Sequence, residues 1–230
     1  MKIFTRALVA AGLLAFVAGP ALAYEPGTFV LRGGVGTVAP KSHSLKISDE
    51  VESVVIDVEN STSMTLTGTY MFDANWGIDV LAALPFKHDI KATVDMGEGP
   101  VTEKIASTKQ LPPTVSLQYH FSPDGDFQPY VGLGINWTTF SNTKLVSSSE
   151  VNGEVDDELV KLALDNSTGV AAQFGGDWAI GDHAVVNFDI RYMDIDSDVK
   201  VKFFDIDEFE KIGTAKIDPW VYSINLGYRF

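Results

Sequence analysis

Trp220-Val221-Tyr222-Ser223-Ile224-Asn225-Leu226-Gly227-Tyr228-Arg229-Phe230 closes the chain and carries its clearest structural signal. Trp220, Tyr222, Ile224, Leu226, Tyr228 and Phe230 share one parity, and Val221, Ser223, Asn225, Gly227 and Arg229 share the other. Side chains that alternate with a period of two stand on opposite faces of a β-strand. Here one face is large, aromatic and apolar, and the other is mostly small or polar.

Working backward, the same alternation recurs. Val186, Phe188, Ile190 and Tyr192 oppose Asn187, Asp189 and Arg191. Val170, Ala172, Phe174, Trp178 and Ile180 oppose Ala171, Gln173, Gly175 and Asp177. Val131, Leu133, Ile135 and Trp137 oppose Gly132, Gly134 and Asn136, and Leu111, Val115, Leu117, Tyr119 and Phe121 oppose Thr114, Ser116, Gln118 and His120. Trp76, Ile78, Val80, Ala82, Leu84 and Phe86 oppose Gly77, Asp79, Leu81 and Ala83. Met64, Leu66, Tyr70 and Phe72 oppose three threonines, and a weaker first strand sets Phe29, Leu31 and Val35 against Arg32, Gly34 and Gly36. The total is eight strands, an even number as bacterial membrane barrels require.

The connections alternate too. Asp73-Ala74-Asn75, Ser122 to Asp126 and Gly181-Asp182-His183 read as tight turns. Between them lie long segments, Val38 to Ser61, Lys87 to Lys104, Ser141 to Asn166 and Asp194 to Asp218, read as loops that hold 23 of the 31 acidic residues. Within the third, Leu159 to Leu164 is expected to form a short helix. The predicted fold class is therefore all-β, an eight-stranded antiparallel up-and-down transmembrane β-barrel. Outer-membrane barrels have short periplasmic turns and long extracellular loops, so both termini are expected in the periplasm.

The beginning of the chain supports export. Lys2 and Arg6 precede an apolar run from Ala7 to Val17, followed by Ala21-Leu22-Ala23. This is the pattern of a secretory signal peptide over 1–23, cleaved before Tyr24, which leaves one barrel domain over 24–230. Cleavage removes two of the 17 basic residues and none of the 31 acidic ones, so the net charge moves from −14 to −16. Such a surface excludes nucleic acid, whose phosphates need Lys and Arg. The chain has no cysteine, so in an oxidising compartment packing or a membrane must hold it together. No later stretch reaches the roughly 18 apolar residues of a transmembrane helix, and only helices and closed barrels satisfy the whole backbone in lipid.

A soluble ligand-binding barrel would also alternate, with its apolar face turned inward. The aromatics separate the two readings. Phe72, Trp76, Phe121, Phe127, Trp178, Tyr228 and Phe230 lie beside the short turns, and Phe86, Trp137, Tyr192, Trp220 and Tyr222 lie at the opposite strand ends. Two aromatic bands are the girdles of two lipid–water interfaces, and the small face suits the narrow interior of eight strands.

Several ordered stretches carry a family resemblance: Ala82-Ala83-Leu84-Pro85-Phe86-Lys87-His88, Leu111-Pro112-Pro113-Thr114, Pro129 to Phe140, Tyr192-Met193-Asp194-Ile195-Asp196, Asp218-Pro219-Trp220-Val221 and Gly227-Tyr228-Arg229-Phe230. Together they resemble the OmpW family of small outer-membrane proteins, which includes uptake channels for alkanes. The first and fourth long segments match least. The resemblance implies a narrow, apolar upper lumen, passive movement of small hydrophobic molecules, and release sideways into the membrane. It also implies that Phe230 is the terminal aromatic read by the barrel-assembly machinery; a girdle role for Phe230 is compatible with that.

The inward parity assigns the lumen by height. Arg32, Asp79, Asp177 and Arg229 fall near the turn end, with Gln118, Gln173, Asp189 and Arg191 deeper. Opposite charges in a narrow interior should pair, because an unpaired buried charge is costly, and a polar plug is expected. Toward the other end Leu81, Ala83, Pro85, Ala171, Met193 and Val221, with Val38 and Phe140, are expected to point inward and line a dry funnel for an apolar solute. The alternative for the same residues is ordinary filling of a small barrel. Pro112 and Pro113 cannot donate ladder hydrogen bonds, and the opening they would leave is the expected lateral exit, or else a bend near the rim.

Other motifs give little. Asp194, Asp196 and Asp198 alternate but lack the glycine and distal glutamate of a calcium loop, so no metal and no cofactor is expected. A solvated acidic segment near divalent cations at the lipopolysaccharide surface is the plainer reading. His43, His88, His120 and His183 have no metal-ligand spacing, Gly-x-Ser-x-Gly is absent, and His120 with Ser116 on one strand reads as structural, so no enzyme is expected. Two functions compete. One is a channel for small hydrophobic solutes, indicated by the apolar upper lumen. The other is a surface-binding barrel, an adhesin or phage receptor, indicated by the long acidic segments. A general porin would need roughly 16–18 strands.

Overall fold

The computed structural model describes residues 24–41, 43–44, 55–95, 99–146, 159–203 and 208–230. The expected signal peptide, 1–23, lies outside the described residues. The strands in chain order are β1 Phe29–Ala39, β2 His43–Ser44, β3 Val55–Val58, β4 Ser61–Met71, β5 Trp76–Ala83, β6 Phe86–Asp95, β7 Pro100–Leu111 and β8 Thr114–His120. They continue with β9 Phe127–Leu145, β10 Leu159–Leu164, β11 Ser167–Ile180, β12 Ala184–Met193, β13 Asp196–Phe203, β14 Glu210–Lys216 and β15 Trp220–Arg229.

Eight of these form a closed ring in sequence order: β1, β4, β5, β8, β9, β11, β12 and β15, with β15 pairing back on β1. Every neighbour is antiparallel. Closure leaves no edge strand and satisfies the backbone without water. The outward parity is apolar and bare: Leu133 is 73% exposed, Leu226 69% and Val170 64%. The inward parity holds Arg32, Asp79, Asp177 and Arg191, each 2% exposed or less. This inversion of the usual inside and outside is what a barrel surrounded by lipid needs.

Among the described residues, the segments read as long loops are largely sheet. β6 and β7 form a hairpin that prolongs β5 and β8 beyond the ring, and β7 also pairs with β9, while β3 joins β6. β10, β13 and β14 make a separate three-stranded sheet at the same end. The helix expected over Leu159 to Leu164 is strand β10, paired with β13; its six residues are too few to hold a helix against an available strand partner.

One sequence expectation fails by a parity slip. Leu81 is buried, but Pro85 is exposed and Phe86, expected among the outward aromatics, is 1% exposed and faces inward. The β5–β8 ladder stops at Leu81↔Thr114 and the β6–β7 ladder resumes at Phe86↔Gln110. Residues 82–85 therefore face residues 111–113, with one residue extra on the first side. An extra residue on one strand reverses the facing of everything beyond it. The other girdle aromatics stand outward, Trp178 at 57% and Trp137 at 44% exposure among them, with Tyr192 half-buried.

Candidate functional site

The lumen has two halves, and the half near the tight turns is polar. Arg32 on β1 grips Asp177 on β11 through one edge of its guanidinium: Nε donates to Oδ1 at 2.9 Å, and Nη2 to Oδ2. Its Nη1 donates to Thr69 Oγ1, which in turn donates to Asp79 Oδ1 at 2.7 Å. Arg191 on β12 donates from Nη2 to Asp79 Oδ2 at 3.1 Å and lies 3.5 Å from Asp189 through Nε. The expected plug residues Arg32, Asp79, Asp177, Asp189 and Arg191 thus meet in one network. A bidentate Arg–carboxylate pair combines charge with fixed geometry, and in this narrow space each buried arginine has a carboxylate beside it, as the cost of an unpaired buried charge demands.

Further members of the network were not assigned from sequence. Tyr24 donates its hydroxyl to Asp177 Oδ2 at 2.6 Å. Asn187 Nδ2 donates to Asp177 Oδ1 at 2.8 Å and to the Tyr130 hydroxyl at 3.0 Å, while that hydroxyl donates to Asp189 Oδ2 at 2.9 Å. Asn225 extends the chain by donating to Asn187 Oδ1 at 2.9 Å, and Thr65 donates to Asn225 Oδ1 at 3.0 Å. Tyr130 fits only because position 175 is glycine: a Cβ there would stand 2.6 Å from the Tyr130 hydroxyl. His120 packs its ring edge-on against Tyr24, lies beside Tyr130, and places Nε2 3.2 Å from Gln118 Oε1. Gln173, also buried, lies over Gly132. Arg229 sits at the rim, where Nη2 donates to the Asp182 carbonyl at 3.3 Å and the guanidinium covers the Tyr24 ring at 5.7 Å.

The other half is apolar. Val38, Leu81, Phe86, Ala171, Met193, Ile195, Ile217 and Val221 form one buried cluster, with Ala83, Phe140 and Ala215 packed against it. Of the residues expected to line the funnel, Leu81, Ala83, Ala171, Met193 and Val221 meet here, and Pro85 does not, for the parity reason above. Ile195 and Ile217 were missed because they belong to a segment read as a loop, and Phe86 because its parity was read as outward. Beyond the cluster, outside the ring, His88 is buried on β6 with Nδ1 2.8 Å from the Glu59 carbonyl.

Beside the cluster lies the break in the wall. Pro85, Pro112 and Pro113 all fall within the interrupted ladder between residues 82–85 and 111–113, so three N–H donors are missing from one seam. Pro112 is buried and Pro85 exposed, so the prolines of this interrupted stretch face both sides of the wall. On its far side the wall is intact, since Trp137 donates its N–H to the Pro113 carbonyl at 2.9 Å.

The acidic turn reads differently from its sequence. Carboxylate oxygens of Asp194, Asp196 and Asp218 lie within 4.8 Å of one another. Asp198, the third member of the sequence alternation, instead takes Lys211 at 2.7 Å and Thr214 at 2.7 Å.

A closed eight-stranded barrel with an apolar exterior and a charged floor defines a small outer-membrane β-barrel. The OmpW family model matches residues 25–230, and the chain belongs to that family. It is 36% identical to outer membrane protein W of Escherichia coli K12 over 233 residues, covering the full length of both chains. Among solved structures it is similar to OprG of Pseudomonas aeruginosa, with a TM-score of 0.75 and 35% identity over 90% of this chain and 98% of that one. It shares its fold with AlkL determined in lipid bilayers, with a TM-score of 0.67 and 19% identity over 100% and 97% of the two chains.

Proposed function

We propose that this barrel admits small hydrophobic molecules at its hairpin end and releases them sideways into the membrane. What carries the reading is one juxtaposition: a buried apolar cluster lies directly above a sealed, ion-paired floor and beside an unpaired stretch of wall. An apolar solute replaces apolar side-chain contacts in the upper lumen at little cost, because such contacts are non-directional. To continue downward it would have to separate Arg32 from Asp177 and Arg191 from Asp79, which leaves buried charges unpaired. The seam at Pro85, Pro112 and Pro113 offers the lower barrier. No covalent chemistry and no cofactor is involved.

This reading places the tight turns and both termini in the periplasm, the hairpins outside, and a cleaved leader over 1–23. Phe230, 69% exposed and held by its N–H to the Phe29 carbonyl at 2.9 Å, is positioned to be presented to the assembly machinery.

The test is uptake of an apolar dye by cells lacking the protein and by cells producing it or its Leu81→Glu and Met193→Glu variants. A carboxylate in the dry cluster slows uptake roughly tenfold or more, given the cost of desolvating an unpaired charge beside the solute. Unchanged uptake in both folded variants rejects the pathway. Unchanged uptake with lost cell or phage attachment favours the surface-binding reading.

A further inference from the structure

The outer surface just above the wall break carries a group of lysines that the rest of the chain does not explain. Lys87 on β6 and Lys109 on β7 are directly opposite each other, and Lys109 is opposite Ser141 on β9 in the next pairing. Lys144, opposite Ser107, stands one outward position further along β9. Lys87, Lys109, Ser141 and Lys144 are all exposed. Like charges directly opposite in a sheet destabilise it, and among the described residues none of these three lysines has a carboxylate partner. The nearest acidic side chain on this face, Asp89, is held by Lys104 at 2.7 Å. Elsewhere on the hairpins Lys91 pairs with Glu59, Lys200 with Asp165 and Lys211 with Asp198. Lys87, Lys109 and Lys144, standing together without ion pairs beside the paired Lys104 and Asp89 in a chain of net charge −14, form a local anion site.

Its height identifies the anion. Ser141 lies four residues beyond the girdle residue Trp137 on β9. At about 3.3 Å per residue and a tilt of about 45°, that is roughly 10 Å above the lipid–water interface. Lysine stems reach back toward the headgroup layer, roughly 5–7 Å thick on each side. Directly below on the same outward face are Leu84, 59% exposed, and Val80 and Val115, which flank the break.

We infer that Lys87, Lys109 and Lys144, with the Ser141 hydroxyl, dock a phosphate of lipid A, the membrane anchor of lipopolysaccharide, so that an acyl chain of the bound molecule lies over the wall break. Two ammonium groups and a hydroxyl on neighbouring strands, about 5 Å apart, match the oxygens of one phosphate monoester. The assignment of lipid A rests on the proposed orientation, with the hairpins in the outer leaflet. It places a lipid tail at the exit, so a departing solute meets hydrocarbon rather than water.

The experiment reconstitutes the full barrel in vesicles containing bisphosphorylated lipid A, dephosphorylated lipid A or phosphatidylglycerol. Lipid retained after detergent extraction is then counted by native mass spectrometry. The protein keeps bisphosphorylated lipid A and loses the other two. The K87Q/K109Q/K144Q variant binds lipid A on the order of a hundredfold more weakly, from about 1 kcal/mol per lysine near a membrane surface. A Lys→Arg triple variant keeps the lipid, and K161Q/K216Q, neutralising exposed lysines of the other sheet, leaves retention unchanged. Equal retention by the Lys→Gln triple variant, or equal retention of all three lipids, overturns the inference. No solute is present, so lost retention in the triple variant and unaltered dye uptake in Leu81→Glu cells would separate the failure of the uptake reading from that of the lipid site.

Discussion

Arg32 and Met193 point into the same cylinder and are equally buried, at 1% and 0% exposure, yet they are held by opposite kinds of force. Around Arg32 every contact is directional, and the guanidinium, Asp177, Tyr24 and Asn187 fit in one arrangement only. Around Met193 the contacts are dispersive and interchangeable, so another apolar group could take the place of any neighbour. A barrel of eight strands has no room for both kinds of filling at one height. Separating them along the axis gives one half that seals and one half that can yield. The wall follows the same division. Its ladder is continuous beside the plug and interrupted beside the apolar cluster, where prolines remove the donors.

The largest expected effect breaks the lower half. Asp177→Ala leaves Arg32 buried without its bidentate partner and lowers stability by about 3–5 kcal/mol, read from the urea midpoint of the protein in lipid vesicles. An unchanged midpoint would mean that the two halves do not differ as argued. Tyr24→Phe keeps the ring against His120 but removes the hydroxyl bonded to Asp177, and costs about 1–3 kcal/mol in the same measurement. Equal stability of this variant would take Tyr24 out of the floor.

The upper half is sharpened by restoring the seam. Pro112→Ala with Pro113→Ala returns two donors, stabilises the barrel by about 0.5–1.5 kcal/mol for each hydrogen bond regained, and slows transfer of an apolar dye from the lumen into the bilayer. Faster transfer would show that the prolines are not the exit. The smallest effect concerns His88, outside the eight ring strands. Burial pushes its imidazole below the ordinary value of about 6.5, against the opposing influence of the Glu59 carbonyl, Gln110 and Asp89. Above that value the ring is neutral folded and unfolded. As pH falls through it, the unfolded chain takes up the proton first, so stability declines on acidification. His88→Gln removes this slope, and a variant that keeps the full slope would place the titration elsewhere.

The period-two alternation determined the eight strands, their lipid-facing parity and the inward set, because side-chain facing in a strand follows from backbone geometry alone. It put Arg32, Asp79, Asp177, Asp189 and Arg191 in one lumen without saying which carboxylate each arginine takes. That depended on the stagger of strands distant in sequence. Tyr24 was invisible to the pattern because it precedes the first strand. Tyr130 did leave a signal, as an aromatic on a parity otherwise made of glycine and asparagine. Tertiary pairing alone decided that Phe86 turns inward and Pro85 outward. An unequal number of residues across a seam becomes apparent only when both strands are laid side by side. It also decided that the described parts of the long acidic segments are largely strand, since their residues become strands by finding partners, and a partner is not a property of any one segment.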